Sequence, residues 1–172
     1  MFYKIVNALY NFVKKSVINY NREVVIKKLK KFTPPLKING FVVFNDNVYL
    51  GKNCSFNGLE IRGNGKVTIG DNFHSAKDCV FLTRYHNYEG SAIPYDNTYI
   101  VKDIFIEDNV WLGIGVYVLG GVTIGEGAII QAGSVVTTDI PKFAIAGGHP
   151  AKPFKYRNAD HYAQLKAQAK FF

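Results

Sequence analysis

From Ile106 onward the chain places an aliphatic residue at every sixth position: Ile106, Leu112, Val118, Ile124, Ile130 and Val136. Four residues after each of the first five stands a second small or aliphatic residue, at Val110, Val116, Val122, Ala128 and Ser134. The residue directly after the aliphatic is glycine or polar in most steps (Glu107, Gly113, Gly125, Gln131, Thr137). An α-helix turns every ~3.6 residues, so a strict period of six would carry the marked position around its whole surface. A hairpin meander alternates with period two and needs a turn every ~8–12 residues. A coil of three flat six-residue faces satisfies the pattern, with the aliphatics inward and successive coils stacked as parallel strands. The same unit recurs less faithfully upstream as Leu50/Gly51/Cys54, Ile69/Gly70/Phe73 and Ser75/Ala76/Cys79. The spacing therefore predicts an all-β main body, a parallel β-helix of hexapeptide repeats over residues 38–155. Residues 38–141, without the interruption described below, make about 4 to 5 coils, a prism roughly 20–25 Å tall at ~4.8 Å per coil.

The flanks read differently. Phe2, Ile5, Val6, Leu9, Phe12, Val13, Val17 and Tyr20 recur at three- and four-residue steps with Lys and Asn opposite, which predicts an amphipathic helix within residues 1–37 that ends at Pro34 and Pro35. Two readings of this helix stay open: it packs on the prism base or between subunits, or it lies on an anionic membrane surface. Residues 156–172, with the run NADHYAQLKAQAKFF, predict a short C-terminal helix that caps the prism, since a repeat fold otherwise exposes its terminal core and strand edges.

The hexads stop over residues 87–103. This inserted loop carries Tyr88, Pro94, Tyr95 and Tyr99, and a long loop of that composition in a compact domain is more often functional than idle. His86 stands at its mouth.

Composition changes the picture little, and charge changes it once. The formal charge is +8, but residues 1–37 hold nine Lys/Arg against Glu23 alone, while the rest of the chain holds twelve basic and twelve acidic residues. A basic appendage on a neutral body argues against nucleic acid as a partner. Cys54 and Cys79 fall on the small inward positions, with no Cys/His cluster at zinc spacing, so they read as packing residues in a reducing compartment. No leader-like start and no apolar run near ~18 residues stands out, so the expected location is the cytoplasm, with contact at the cytoplasmic face of the inner membrane if the basic helix binds lipid.

The segments VTIGDNF, HNYEG and IFIEDNVWLGIGVYVLGGVTIGEGAIIQAGSVVTTDIPKFAIAGGHPAK resemble the hexapeptide-repeat acyltransferases over about residues 40–155. Within that superfamily the chain is similar to the galactoside and maltose acetyltransferases, the xenobiotic acetyltransferases and, most of all, the small bacterial surface-polysaccharide O-acetyltransferases. The resemblance implies a left-handed β-helix, a homotrimer with active sites between subunits, acetyl-CoA as acyl donor, a sugar or glycan acceptor, and no metal.

It also implies roles for particular residues. His86 follows DNFHSAKDCVFLTRYH at the spacing of the family's catalytic histidine, and transfer to a hydroxyl needs a base that titrates near neutrality. Glu89 is the nearest carboxylate in sequence to orient its ring, with a backbone carbonyl as the alternative. Tyr88, Tyr95 and Trp111 are expected to wall the acceptor, because sugar rings pack their apolar faces on aromatics. Gly113, Ala132, Gly133, Thr137 and Thr138 match the region along which the pantetheine arm runs, and Lys152 is placed to neutralise a cofactor phosphate. His149 in GGHPAK departs from the family pattern, Ile114 replaces a small polar residue, His74 reads as an ordinary surface or interface histidine, and His161 as a solvated one in the tail. The leading function is acetyl-CoA-dependent O-acetylation of a sugar hydroxyl in capsular, exopolysaccharide or lipopolysaccharide modification. N-acetylation of a nucleotide-linked amino sugar, acetylation of an antibiotic, and a non-catalytic scaffold remain as alternatives.

Overall fold

The structure, a computed structural model, describes residues 2–172. It opens with a 27-residue helix, α1 (Phe2–Lys28), continues as a parallel β-solenoid, and ends with a nine-residue helix, α2 (Ala159–Ala167). Three sheets form the faces of the solenoid. The first face stacks Val48–Leu50, Val67–Ile69, Ile104–Ile106 and Thr123–Ile124. The second stacks Leu36–Ile38, Cys54–Phe56, His74–Ser75, Trp111–Leu112, Ile129–Ile130 and Ala144–Gly148, and Ala151–Tyr156 closes it antiparallel. The third stacks Leu59–Arg62, Cys79–Leu82, Tyr117–Leu119 and Val135–Val136.

Every hexad aliphatic from Ile106 to Val136 is buried, as are the second-site residues Val110 to Ser134, so the period of six marks the inward positions. The register is the coil length made visible: Phe105 pairs with Thr123 and Trp111 with Ile129, one 18-residue coil apart. The six parallel strands of the second face make about six turns, more than the 4 to 5 expected. The additional turns lie at the ends. Leu36–Ile38 precedes the counted hexads, and Ile129 pairs with Ile145 through a shortened coil that breaks the period.

The corner between the first and second faces needs a left-handed residue in each coil. Asn53, Asn72 and Asn109 supply it with φ of 54°, 55° and 60°, a region that Asn tolerates better than most residues. Their amides form a ladder, Asn53 Nδ2 donating to Asn72 Oδ1 at 3.0 Å and Asn72 Nδ2 to Asn109 Oδ1 at 2.9 Å. The next coil places Gly127 here (φ 69°), where a Cβ would lie 2.8 Å from the ring of Tyr162. That gap admits Tyr162 of α2, whose hydroxyl accepts from Asn109 at 2.7 Å and donates to Glu126 at 2.9 Å.

The tail therefore runs back along this corner instead of capping the prism end. Asn158 caps α2 by accepting from the His161 N–H, Lys166 reaches Glu126 at 2.5 Å, and the Phe172 carbonyl accepts from Asn53. The opposite end is closed by α1. Val25 is buried, Ile26, Leu29 and Phe32 pack on the core, and the Asn21 amide is paired with both backbone groups of Val42. Residues 2–17 of α1 are exposed.

Candidate active site

The chain leaves the solenoid at Leu82, on the corner between the third and first faces, and returns at Ile104. In between it forms an arm rather than an irregular loop: Arg84–His86 pairs antiparallel with Tyr99–Val101, and His86 lies directly opposite Tyr99. The Thr83 hydroxyl accepts from the Gly65 N–H and donates to the Arg62 carbonyl, anchoring the root of the arm in the coil below. At its tip, Asp96 accepts from the Ser91 and Thr98 main-chain N–H groups and from the Thr98 hydroxyl. Those hydrogen bonds hold its carboxyl below the ordinary range, the Thr98 hydroxyl contributing most.

His86 is exposed, and its ring packs against two aromatics. Tyr95 stacks on it with centroids 3.9 Å apart and planes 17° apart, and Tyr99 sits at 4.8 Å. The Arg84 guanidinium lies 4.3 Å from the centre of the Tyr99 ring. A ring stacked by a face keeps its edge, which carries the nitrogens, clear of that partner. Among the described residues no side chain hydrogen-bonds this imidazole; Glu89 contributes its own main-chain N–H to Asn87 Oδ1. Tyr88 is exposed and stacks on Tyr85 instead.

The remaining expected residues fall in other places. Gly113, Ala132 and Gly133 meet at the corner between the second and third faces. A Cβ on Gly113 would lie 2.6 Å from the Ala132 nitrogen, so close stacking of the coils alone requires glycine there. Gly133 adopts φ 69° with open space beside it. The turn after Ala144–Gly148 folds onto this corner: the His149 ring hydrogen-bonds the Gly133 carbonyl, and the Gly148 N–H donates to Ser134 Oγ at 3.2 Å. Thr137 and Thr138 are exposed at the corner that carries the arm, two coils further on. Lys152 is exposed on the closing strand, paired with Gly147. Trp111 is half-exposed on the second face, between His74 and Ile129 in register. One chain thus brings together the glycine corner with His149, and separately the histidine with its aromatics, and leaves Trp111 apart from both.

Sequence reasoning missed two contacts of this kind. His74, read as an ordinary surface or interface histidine, lies under the Phe172 ring at 5.7 Å in a cavity of about 440 Å³ between the second face and α2, bordered by Trp111, Arg157 and Lys166. Burial lowers its pKa, a hydrogen bond with Phe172 opposes that, and the Lys37 charge adds to the lowering. Tyr99 reads from the sequence as one of the loop aromatics, and the structure makes it the residue facing His86. The alternation of Arg84 and His86 on one strand was the available signal.

The profile described as bacterial transferase hexapeptide (six repeats) matches residues 103–138. A maltose O-acetyltransferase structure from Clostridium difficile 630 superposes with a TM-score of 0.60 at 30% identity, over 74% of this chain and 66% of that one. The chain belongs to the hexapeptide-repeat transferase family. A galactoside acetyltransferase in complex with coenzyme A superposes with a TM-score of 0.67 at 27% identity, over 82% of this chain and 72% of that one. In sequence, this hexapeptide-repeat protein is 47% identical over 112 residues to a Staphylococcus aureus (strain Mu50) protein named as an acetyltransferase, covering 64% of this chain and 53% of the relative. It is also 57% identical over 49 residues to the galactoside O-acetyltransferase of Lactococcus lactis, covering 28% and 24%. It spans about half the length of the Staphylococcus aureus relative. Among the described residues no group of three or more His, Cys, Asp or Glu side chains is placed to hold a metal.

Proposed function

We propose that this protein is an acetyl-CoA-dependent O-acetyltransferase acting on a sugar hydroxyl in surface-polysaccharide or lipopolysaccharide modification. The observation that carries the reading is His86, exposed on a hydrogen-bonded arm, stacked on Tyr95 and packed beside Tyr99, with no side chain among the described residues hydrogen-bonded to its nitrogens. His86 takes the proton of the acceptor hydroxyl as its oxygen attacks the thioester carbonyl carbon. The tetrahedral intermediate then collapses, the carbon–sulfur bond breaks, and the imidazolium returns the proton to the departing CoA thiolate. An acetyl ester and free CoA result. Glu89 or a backbone carbonyl orients the ring, and backbone N–H groups near Trp111 to Gly115 serve the oxyanion.

Tyr88, Tyr95 and Trp111 wall the acceptor. Gly113, Ala132, Gly133, Thr137 and Thr138 line the pantetheine path, and Lys152 meets a cofactor phosphate. These residues lie in separate places on one chain, and that separation supports a homotrimer in which the arm of one subunit closes on the glycine corner of the next. The protein acts in the cytoplasm, at the inner face of the membrane where lipid-linked glycans are available. Support for the chemistry comes from the likeness to maltose and galactoside acetyltransferases, one of them in complex with coenzyme A.

Thiol release from acetyl-CoA is the direct test, with wild type and His86→Ala compared against sugars, amino sugars and xenobiotics. Turnover with a sugar that drops ~10²–10⁴-fold in the variant is expected for a lost general base. An amino sugar or a xenobiotic as the sole acceptor would overturn the acceptor class. Absence of both turnover and CoA binding would leave a scaffold.

A further inference from the structure

The two sides of α1 make different contacts. At about 100° per residue, Ile18, Asn21 and Val25 share one side of the helix. They are the residues that meet the solenoid: Ile18 is half-buried, Asn21 and Val25 are buried, and Asn21 is hydrogen-bonded to Val42. The apolar stripe of Phe2, Val6, Leu9, Val13 and Tyr20 is centred about a third of a turn away. Residues 2–17 are exposed on every side of the helix, and all five stripe residues are exposed by 47% or more.

Its chemistry selects the occupant. A helical partner in a coiled coil would show a narrow seam flanked by complementary charges. Here the flanking positions are Ile5, Tyr10, Phe12 and Val17, all exposed and apolar or aromatic, so the stripe is too broad for a seam and offers no ion pairs. Up to Arg22 the helix carries Lys4, Lys14 and Lys15 and no acidic residue, so copies of it repel one another. A wide apolar face rich in Phe and Tyr, backed by cations alone, matches the interface of an anionic bilayer, where aromatics sit at headgroup depth and lysines meet phosphates.

We infer that residues 2–20 form an interfacial anchor that buries its apolar stripe in an anionic lipid surface and holds the solenoid at the C-terminal end of the helix. Asn21 and Val25 are then the joint between anchor and solenoid. The inference does not rest on the acyl-transfer reading: binding to vesicles and thiol release are separate readouts, and either survives failure of the other.

The test is flotation of the full chain with vesicles of phosphatidylcholine mixed with phosphatidylglycerol, and of phosphatidylcholine alone. Wild type should float with the mixed vesicles and much less with the neutral ones. The double substitution Leu9→Gln and Val13→Gln should cut the bound fraction about tenfold or more, with the melting temperature and the mass by light scattering unchanged. In a second variant, Phe12→Trp, fluorescence should shift to the blue on adding mixed vesicles. Wild type that stays unbound, binding that ignores lipid charge, a tryptophan that does not shift, or a double variant of lower mass would each overturn the inference. The last would show that a second copy covers the stripe.

Discussion

Asn21 is the most exposing test of how the solenoid is closed at its first coil. Its side chain is 8% exposed; Oδ1 accepts from the Val42 N–H at 2.9 Å, and Nδ2 donates to the Val42 carbonyl at 2.8 Å. The amide thereby gives Val42, on the outermost coil, the pair of bonds that a neighbouring strand gives to residues further in. Asn21→Ala removes both partners at once, and Asn21→Leu does so while keeping the volume. A buried backbone group left unpaired costs ~1–3 kcal/mol, and water reaching the rim recovers part of that, so either variant should lose about 2–4 kcal/mol. In urea melts followed by far-ultraviolet circular dichroism at fixed protein concentration, that loss lowers the midpoint by about 1–2 M. Asn11→Ala, on an exposed turn of the same helix, is the control and should move stability by less than ~0.5 kcal/mol. If both Asn21 variants melt within ~0.5 kcal/mol of wild type, the amide is not what closes the coil, and the reasoning fails.

Two further expectations follow from the same contacts. Burial pushes the Glu126 carboxyl up, but hydrogen bonds from Lys166 and Tyr162 outweigh it, and the net direction is down. A depressed carboxylate contributes stability that is present above its unfolded pKa and is lost as pH falls through the folded value. Glu126→Gln should therefore cost stability at pH 7 and progressively less toward pH 3, as read by thermal melts across that range. Burial pushes the Cys54 thiol up to about 12, raises that of Cys79, and leaves both inside the solenoid. Neither should react with a thiol reagent at pH 8 until urea unfolds the chain; labelling of the native protein at the rate of a free thiol would contradict their placement.

The inward positions were legible because the solenoid asks the same question in every coil. Whether Leu112 or Ile124 points in depends only on its distance from the last corner, and the sequence repeats that distance. The site was legible only in part. The place of His86 at the foot of the arm could be read because it stands where the repeat stops, and the corner positions of Gly113 and Gly133 because the period marks the corners. The packing of Tyr95 and Tyr99 on His86 depends on how residues 87–98 fold back, and no period records that.

By itself the sequence determined a parallel solenoid with aliphatics inside, an amphipathic helix before it and an interruption headed by a histidine. These are properties of spacing between near neighbours. The tertiary structure alone decided three further things: which side of α1 the solenoid claims, that the tail lies along the asparagine corner instead of over the end, and that the arm, the glycine corner and Trp111 are held apart within one chain. Each turns on single pairings between distant residues, such as Asn21 with Val42, Asn109 with Tyr162, and Asn53 with Phe172, 119 residues away. A contact made once, across a long separation, leaves no periodic trace in the sequence.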